Sequence, residues 1–353
     1  MNTSVLSVRD ELSFGQFMEL ALYGDDGYYT RAVSIGGKGS DFYTAAQSPL
    51  FAQALANALT EQWDAWGQPT ELQVVEYGGG QGELAAVLGP ALVRLCSGTI
   101  TYTLVDRSRR LQTFQANAVH DEDTRLHYHF GEPRTDVPTC VVANEVLDAL
   151  PVERVRRVGD SWQQAYVKLD SQGHYQWMWQ SADASIASLA DQFLPIPDGT
   201  IGEVCPGLAR FFARLTAGGP PVFALLIDYG IDREEWASGI RPQGTLRGYY
   251  QHQVTDVLDH VGAQDITADV NWDHVRNAAE SAGFQFRFLE SQGTYLMSHG
   301  IADACQTRLT ALASSGLESV KQRLGWSGQL KQLVMPGGMG ERFQVFGCEW
   351  NVT

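Results

Sequence analysis

The feature that most constrains this chain is a glycine-rich run, Glu76-Tyr77-Gly78-Gly79-Gly80-Gln81-Gly82, set between a strand-like stretch and a helix-like one. Upstream, Leu72 to Tyr77 (LQVVEY) reads as a strand; downstream, Glu83 to Leu95 has helical periodicity. Glycine lets the backbone take φ > 0 and lets a ligand come close where a Cβ would block it. Asp106 follows 24 residues after Gly82, at the end of a second strand-like run, Thr101 to Asp106 (TYTLVD). A carboxylate there is placed to accept hydrogen bonds from both ribose hydroxyls. Loop and acid together predict a nucleoside-bearing cofactor.

Two such cofactors compete. A dinucleotide loop uses the helix N-terminus for its pyrophosphate. A loop for S-adenosyl-L-methionine (SAM) has no phosphate to hold and commonly carries an acid in its first strand, here Glu76. The run E-x-G-x-G-x-G leans towards SAM, with Glu76, Gly78, Gly80, Gly82 and Asp106 as its contacts. A tight β–α turn that binds nothing is the bland alternative.

The rest of the chain alternates strands and helices, the α/β pattern. Further strands are expected at Arg125 to Phe130, Thr139 to Ala143 and Val222 to Asp228, with Gln285 to Glu290 and Phe343 to Glu349 as an antiparallel pair closing the sheet. Before about Trp66 the spacing of Phe14, Phe17, Met18 and Leu22 predicts a helix face. WQQAYVKLDSQGHYQWMWQ reads as a hairpin about Asp170-Ser171-Gln172-Gly173. The expected plan is a helical extension over the cofactor site (1–66), the first half of a core (67–153), a β-rich insertion (154–205) and the second half with a helical substrate-side segment (206–353).

Ligands of parallel α/β sheets bind at the carboxyl ends of the strands. After the fourth strand stands Asn144-Glu145-Val146-Leu147-Asp148-Ala149-Leu150-Pro151. Methyl transfer is an in-line displacement at a sulfonium, so an enzyme mainly has to align a lone pair. Asn144 offers an amide for orientation, and Glu145 and Asp148 offer carboxylates. Were the acceptor a guanidinium, a carboxylate pair would hold its plane. Helix capping by Asn144, with both acids in the first turn, is the competing reading.

Together these residues resemble the MidA family of class I SAM-dependent methyltransferases, whose mitochondrial members are protein arginine methyltransferases needed for assembly of respiratory complex I. The likeness covers most of the chain. It runs through FGQFMELALYGDDGYYT (Phe14 to Thr30), SDFYTAAQSPLFAQAL with Asp41, Phe42, Thr44 and Ser48, VVEYGGGQGELAAVL, and ANEVLDALPVERV. LLIDYG, GTLRGYYQH, DITADVNWDHV and MGERFQVF continue it in order. Two departures stand out: Gly79 and Gln81 replace the family's usual proline and arginine or threonine, and the family's glutamate between Thr44 and Ser48 is missing. The resemblance implies a class I methyltransferase fold with a mainly parallel seven-stranded sheet, SAM as cofactor, and methylation of a protein side chain, arginine favoured. It also implies that Thr44 lies over the cofactor, that Asp228, Arg247 and His252 line the acceptor cleft, and that a respiratory-complex subunit is a candidate partner. Helix capping, a surface ion pair and packing are the alternatives at those last three positions. A catalytically weak or inactive assembly protein keeping this fold is the rival reading, and a nucleotide-linked oxidoreductase a third.

Charge and composition narrow the partners. With Lys+Arg 25 against Asp+Glu 41 the formal net charge is −16, which opposes nucleic acid held through phosphates. No apolar run is long enough to span a membrane, and the N-terminal residues lack the look of a signal or transit peptide, so a cytoplasmic protein is expected. The five cysteines form no C-x-x-C pair and suggest buried thiols in a reducing compartment. His127 and His129 share a strand face but lack a third ligand, so no metal is expected. Trp162, Trp177 and Trp179 read as packing residues. A homodimer is left open.

Overall fold

The computed structural model describes residues 11–31, 44–120, 123–215, 219–312 and 317–351. Asp41 and Phe42 of the second matched block lie outside these. Seven strands form the central sheet: β1 Glu71–Tyr77, β2 Thr99–Val105, β3 Leu126–Phe130, β4 Thr139–Asn144, β5 Val222–Ile231, β6 Gln285–Ser291 and β7 Phe343–Trp350. Their order is β3-β2-β1-β4-β5-β7-β6, the first five parallel and β7 antiparallel to both of its neighbours. The expected late antiparallel pair is therefore present, with β7 wedged between β5 and β6. A two-residue strand, Val270–Asn271, adds to the end of β5. Strand order reverses between β1 and β4, the switch point at which sheets of this kind bind ligands beyond the carboxyl ends of their strands.

Alternation along the strands gives the sheet two apolar faces. On one face Val74, Tyr102, Leu104, Val142 and Leu225 pack against helices α2 (Pro49–Ala65) and α3 (Glu83–Leu95), with Tyr295, Leu296 and Ile301 from the late helices. On the other, Val75, Val141, Leu226 and Phe346 meet the helices Leu208–Leu215 and Trp272–Ser281. Helix α2 starts where Ser48 accepts a bond from the Leu50 N–H and Pro49 takes the first turn. This helix belongs to the main core rather than lying over it as a separate cover.

Helix α1 (Phe14–Tyr23) is different. A Ser13–Gln16 capping box starts it, and Phe14, Phe17, Met18 and Leu22 are fully buried. They pack with Tyr175 and Trp177 of a second, antiparallel sheet made of Glu153–Val158, Ser161–Leu169, Tyr175–Ser181 and Ile201–Val204. Leu12–Ser13 joins that sheet along Ser161–Leu169, and its other strands come from the stretch read as an inserted β element. The Asp170 carboxylate closes its hairpin by accepting from the N–H groups of Gln172 and His174. Its tryptophans pack as expected, Trp162 buried and the guanidinium of Arg154 4.6 Å from the Trp177 ring. A third small sheet, Arg247–Tyr250 with Gln253–Thr255 and Asp265–Thr267, has no counterpart in the sequence reading. Among the described residues no helix is long and apolar enough to cross a membrane.

Candidate functional site

Between β1 and α3 the turn Gly78–Gly82 carries three left-handed residues, Gly78, Gly80 and Gly82, with φ of 64°, 53° and 92°. A side chain at these angles is strained. At Gly82 a Cβ would also stand 3.1 Å from the Cα of Gln115. Gly79 is fixed by space instead: a Cβ there would lie 2.8 Å from Leu104 Cδ2. Leu104 thus fills the room next to the position where the resemblance predicted proline.

Asp106 directly follows β2. One oxygen accepts from the Ser108 N–H at 2.8 Å and the other from Gln115 Nε2 at 3.1 Å. The same Nε2 reaches the Gly80 carbonyl at 3.1 Å, so a single amide on α4 (Arg109–Ala118) ties the acid to the glycine turn. Each carboxylate oxygen keeps a second lone pair for a hydroxyl. Gln115 is fully buried, and its Oε1 lacks a partner among the described residues. Glu76 is placed differently from its expected role as a cofactor contact. It lies beneath the turn, 3% exposed, and accepts from the Tyr102 hydroxyl at 2.6 Å. Burial pushes its carboxyl up to about 7, against the effect of the Tyr102 bond.

On the other side of the crevice β4 ends at Asn144, and Glu145 turns the chain with φ of 55°. For a residue with a Cβ that costs ~1–2 kcal/mol, and the Glu145 N–H bond to the Ile227 carbonyl at 2.9 Å helps hold it. Thr44 caps the short turn Ala45–Gln47 and donates its hydroxyl to Glu145 Oε1, which also accepts from Asn144 Nδ2 at 3.2 Å. Burial pushes the Glu145 carboxyl up to about 7; the Thr44 bond opposes this and the Asp148 charge adds to it. Asp148 is 6% exposed and accepts from the Tyr229 hydroxyl at 2.6 Å. Burial pushes it up to about 6. Asn144 Oδ1 and Asp148 Oδ1 are buried acceptors with no donor among the described residues.

Glu145, Asp148, Tyr229, Tyr249, Asp265 and Arg342 line a cleft of about 370 Å³. Helix α1 and the residues after it brace the cleft. Tyr23 donates to the Ala149 carbonyl at 2.9 Å, Tyr29 donates to Asp265 at 2.9 Å, and the two rings stack. Arg107, next to Asp106, pairs with Glu19 and lies over the Tyr23 ring at 4.2 Å. The extension therefore spans from the residue beside Asp106 to the loop after β4.

Three expected cleft residues are placed elsewhere. Asp228 is fully buried behind the loop, where its oxygens accept from the N–H groups of Leu147, Asp148 and Tyr229 at 2.9, 3.1 and 2.9 Å. Burial, with the charges of Asp148 and Glu145, raises its carboxyl well above the usual range. Arg247 pairs with Asp269 at 2.6 Å and borders the Tyr229 ring from outside the lining set. His252 is exposed in the turn between Arg247–Tyr250 and Gln253–Thr255. Sequence reasoning missed Tyr229, Gln115, Tyr249, Asp265 and Arg342. Four of them stand in the matched blocks LLIDYG, GTLRGYYQH, DITADVNWDHV and MGERFQVF, whereas Gln115 reads as an ordinary helix glutamine.

Residues 54–289 match the family described as S-adenosyl-L-methionine-dependent methyltransferase. Relatives named protein arginine methyltransferase NDUFAF7, mitochondrial, are 31% identical in Rattus norvegicus and 29% in Homo sapiens, each match covering 91% of this chain and 76% of the relative. A crystal structure from Burkholderia thailandensis bound to S-adenosyl-homocysteine has a TM-score of 0.83 at 29% identity, over 97% of this chain and 89% of that one. The expectation of a cytoplasmic protein is corrected by these relatives, which are named as mitochondrial.

Proposed function

We propose that this chain, which belongs to the family of S-adenosyl-L-methionine-dependent methyltransferases, methylates arginine side chains of a protein. SAM is its cofactor and supplies an electrophilic methyl group on a sulfonium. The side-chain-free turn at Gly78, Gly80 and Gly82, beside the half-buried Asp106, fits a ligand with a ribose and an amino-acid end. Glu76 and Gln115 stiffen that turn from below and from the side.

The observation that carries the acceptor reading is the group of carboxylates lining one cleft, Glu145, Asp148 and Asp265, with Asp148 Oδ1 buried and without a donor among the described residues. A guanidinium offers donors only, and its planar fork suits paired carboxylates. Thr44 and Asn144 fix Glu145, Tyr229 fixes Asp148, and between them the acceptor is oriented. Full deprotonation before transfer is not asked of these acids, since a guanidinium keeps its proton far above neutral pH; they orient the acceptor nitrogen, and the N–H proton that this nitrogen gives up as it gains the methyl group would pass to a cleft carboxylate or to water. A respiratory-complex subunit is the first protein substrate to test, on the strength of the resemblance.

Calorimetry with S-adenosylhomocysteine tests the cofactor half, and no binding up to millimolar concentration defeats it. Mass spectrometry of host proteins with and without this chain tests the other half. Methyl-arginine that disappears with the chain supports the reading; an unchanged set of methyl-arginines ends it.

A further inference from the structure

We propose that Arg342 reads a carboxylate on the acceptor protein, on a residue next in sequence to the methylated arginine, so that acid-flanked arginines are the preferred substrates. This rests on the arginine-acceptor reading above. Arg342 is the one cation among the described residues lining the cleft, where it stands with the carboxylates of Glu145, Asp148 and Asp265. Each of those carboxylates already has an internal donor, from Thr44, Tyr229 and Tyr29 respectively. The Arg342 guanidinium has no carboxylate partner among the described residues and rests over the Tyr229 ring, 5.1 Å from its centroid. The second guanidinium near that ring, Arg247 at 6.0 Å, is neutralised by Asp269 at 2.6 Å. One ring thus has a paired cation on one contact and an unpaired cation on the other.

The Tyr229 ring is buried but Arg342 itself is exposed, and a ring holds a solvent-exposed guanidinium weakly, whereas a carboxylate holds it through two parallel hydrogen bonds. Because the neighbouring carboxylates already have internal donors, the unpaired Arg342 leaves a place for one further anion beside the slot for a cationic side chain. The net charge of −16 already draws basic proteins from a distance. Arg342 acts at contact range instead and selects the immediate neighbours of the acceptor, as rim charges set specificity more than affinity. A carboxylate also exists on the amino-acid end of the cofactor, and the test separates the two sources.

Three peptides with a single arginine, flanked on both sides by Glu, by Gln or by Lys, are titrated into the full chain saturated with S-adenosylhomocysteine. The wild type is expected to bind the Glu-flanked peptide ~3–5-fold more tightly than the Gln-flanked one, the range of a partly exposed ion pair. Arg342→Ala should erase that ratio while S-adenosylhomocysteine binds as before, and Arg342→Glu should turn the preference towards the Lys-flanked peptide. A ratio that survives in Arg342→Ala overturns the proposal, as does a matching loss of S-adenosylhomocysteine affinity, which assigns the carboxylate to the cofactor. If the wild type binds S-adenosylhomocysteine but none of the peptides, the arginine-acceptor reading fails and takes this proposal with it.

Discussion

The two sides of the crevice are built in opposite ways. The side proposed for the cofactor is local: β1, the glycine turn, α3, β2 and Asp106 follow one another within 71–106, and Gln115 ties them together from the next helix. The side proposed for the acceptor is assembled from distant pieces, Thr44, the 144–149 loop, Tyr229, Asp265 and Arg342, and all of these but Arg342 are held by hydrogen bonds. A local site survives small shifts of the sheet because its parts move together. A dispersed one needs each segment fixed separately, and here hydrogen bonds to acids do the fixing.

If the halves are independent, each should fail alone. Glu145→Gln is expected to lower methyl transfer ~10²-fold or more, the scale of losing alignment at the reacting atom, with S-adenosylhomocysteine affinity nearly unchanged. Calorimetry and a methyl-transfer assay on one preparation decide this; a parallel loss of cofactor binding breaks the division. The mirror variant, Asp106→Ala, should weaken S-adenosylhomocysteine ~10–100-fold through lost charge-assisted hydrogen bonds, read by the same titration.

Acidity sharpens the contrast further. Glu145 and Asp148 hold their protons up to about 7 and about 6, so holding a cationic acceptor should weaken as pH falls from 8 to 5. Stability runs the other way. A carboxyl raised above its unfolded value binds more protons when folded, so its contribution is full below the ordinary carboxylate range and is lost as pH rises through about 7. Glu145→Gln should therefore be more stable than the wild type at pH 8, by ~1–3 kcal/mol, and lose that advantage below pH ~4.5. Thermal melts across this range check the sign. The smallest effect expected is at His252, outside the cleft lining: His252→Ala should leave peptide binding as in wild type and cost ~1 kcal/mol of stability at most, its left-handed φ of 64° suiting His better than Ala.

The same contrast explains what could be read from the sequence. The glycine run, Asp106 and the flanking elements were legible because spacing along the chain equals proximity in the fold there. At the acceptor side, Asn144, Glu145 and Asp148 were visible as a polar cluster at a strand end. Their partners were not, since Tyr229 is brought to Asp148 by strand pairing, and nothing in the run LLIDYG says which of its two polar side chains faces the cleft. Period-two alternation decides it: Asp228 faces back into the loop's amides and Tyr229 faces out. Gln115 was hidden for another reason. On an otherwise polar helix, with Leu111 its only buried companion, a core glutamine has the pattern of a surface one.

The placement of Asp228 also bears on how this protein would look to genetics. Its carboxylate meets three amide hydrogens and no substrate, yet those amides belong to the loop that aims Asp148 and neighbours Glu145. A scan of random variants scored by methylation would mark Asp228 as indispensable and rank it with the groups that touch the acceptor. Only a scan scored by folding as well would reveal it as the loop's hidden anchor.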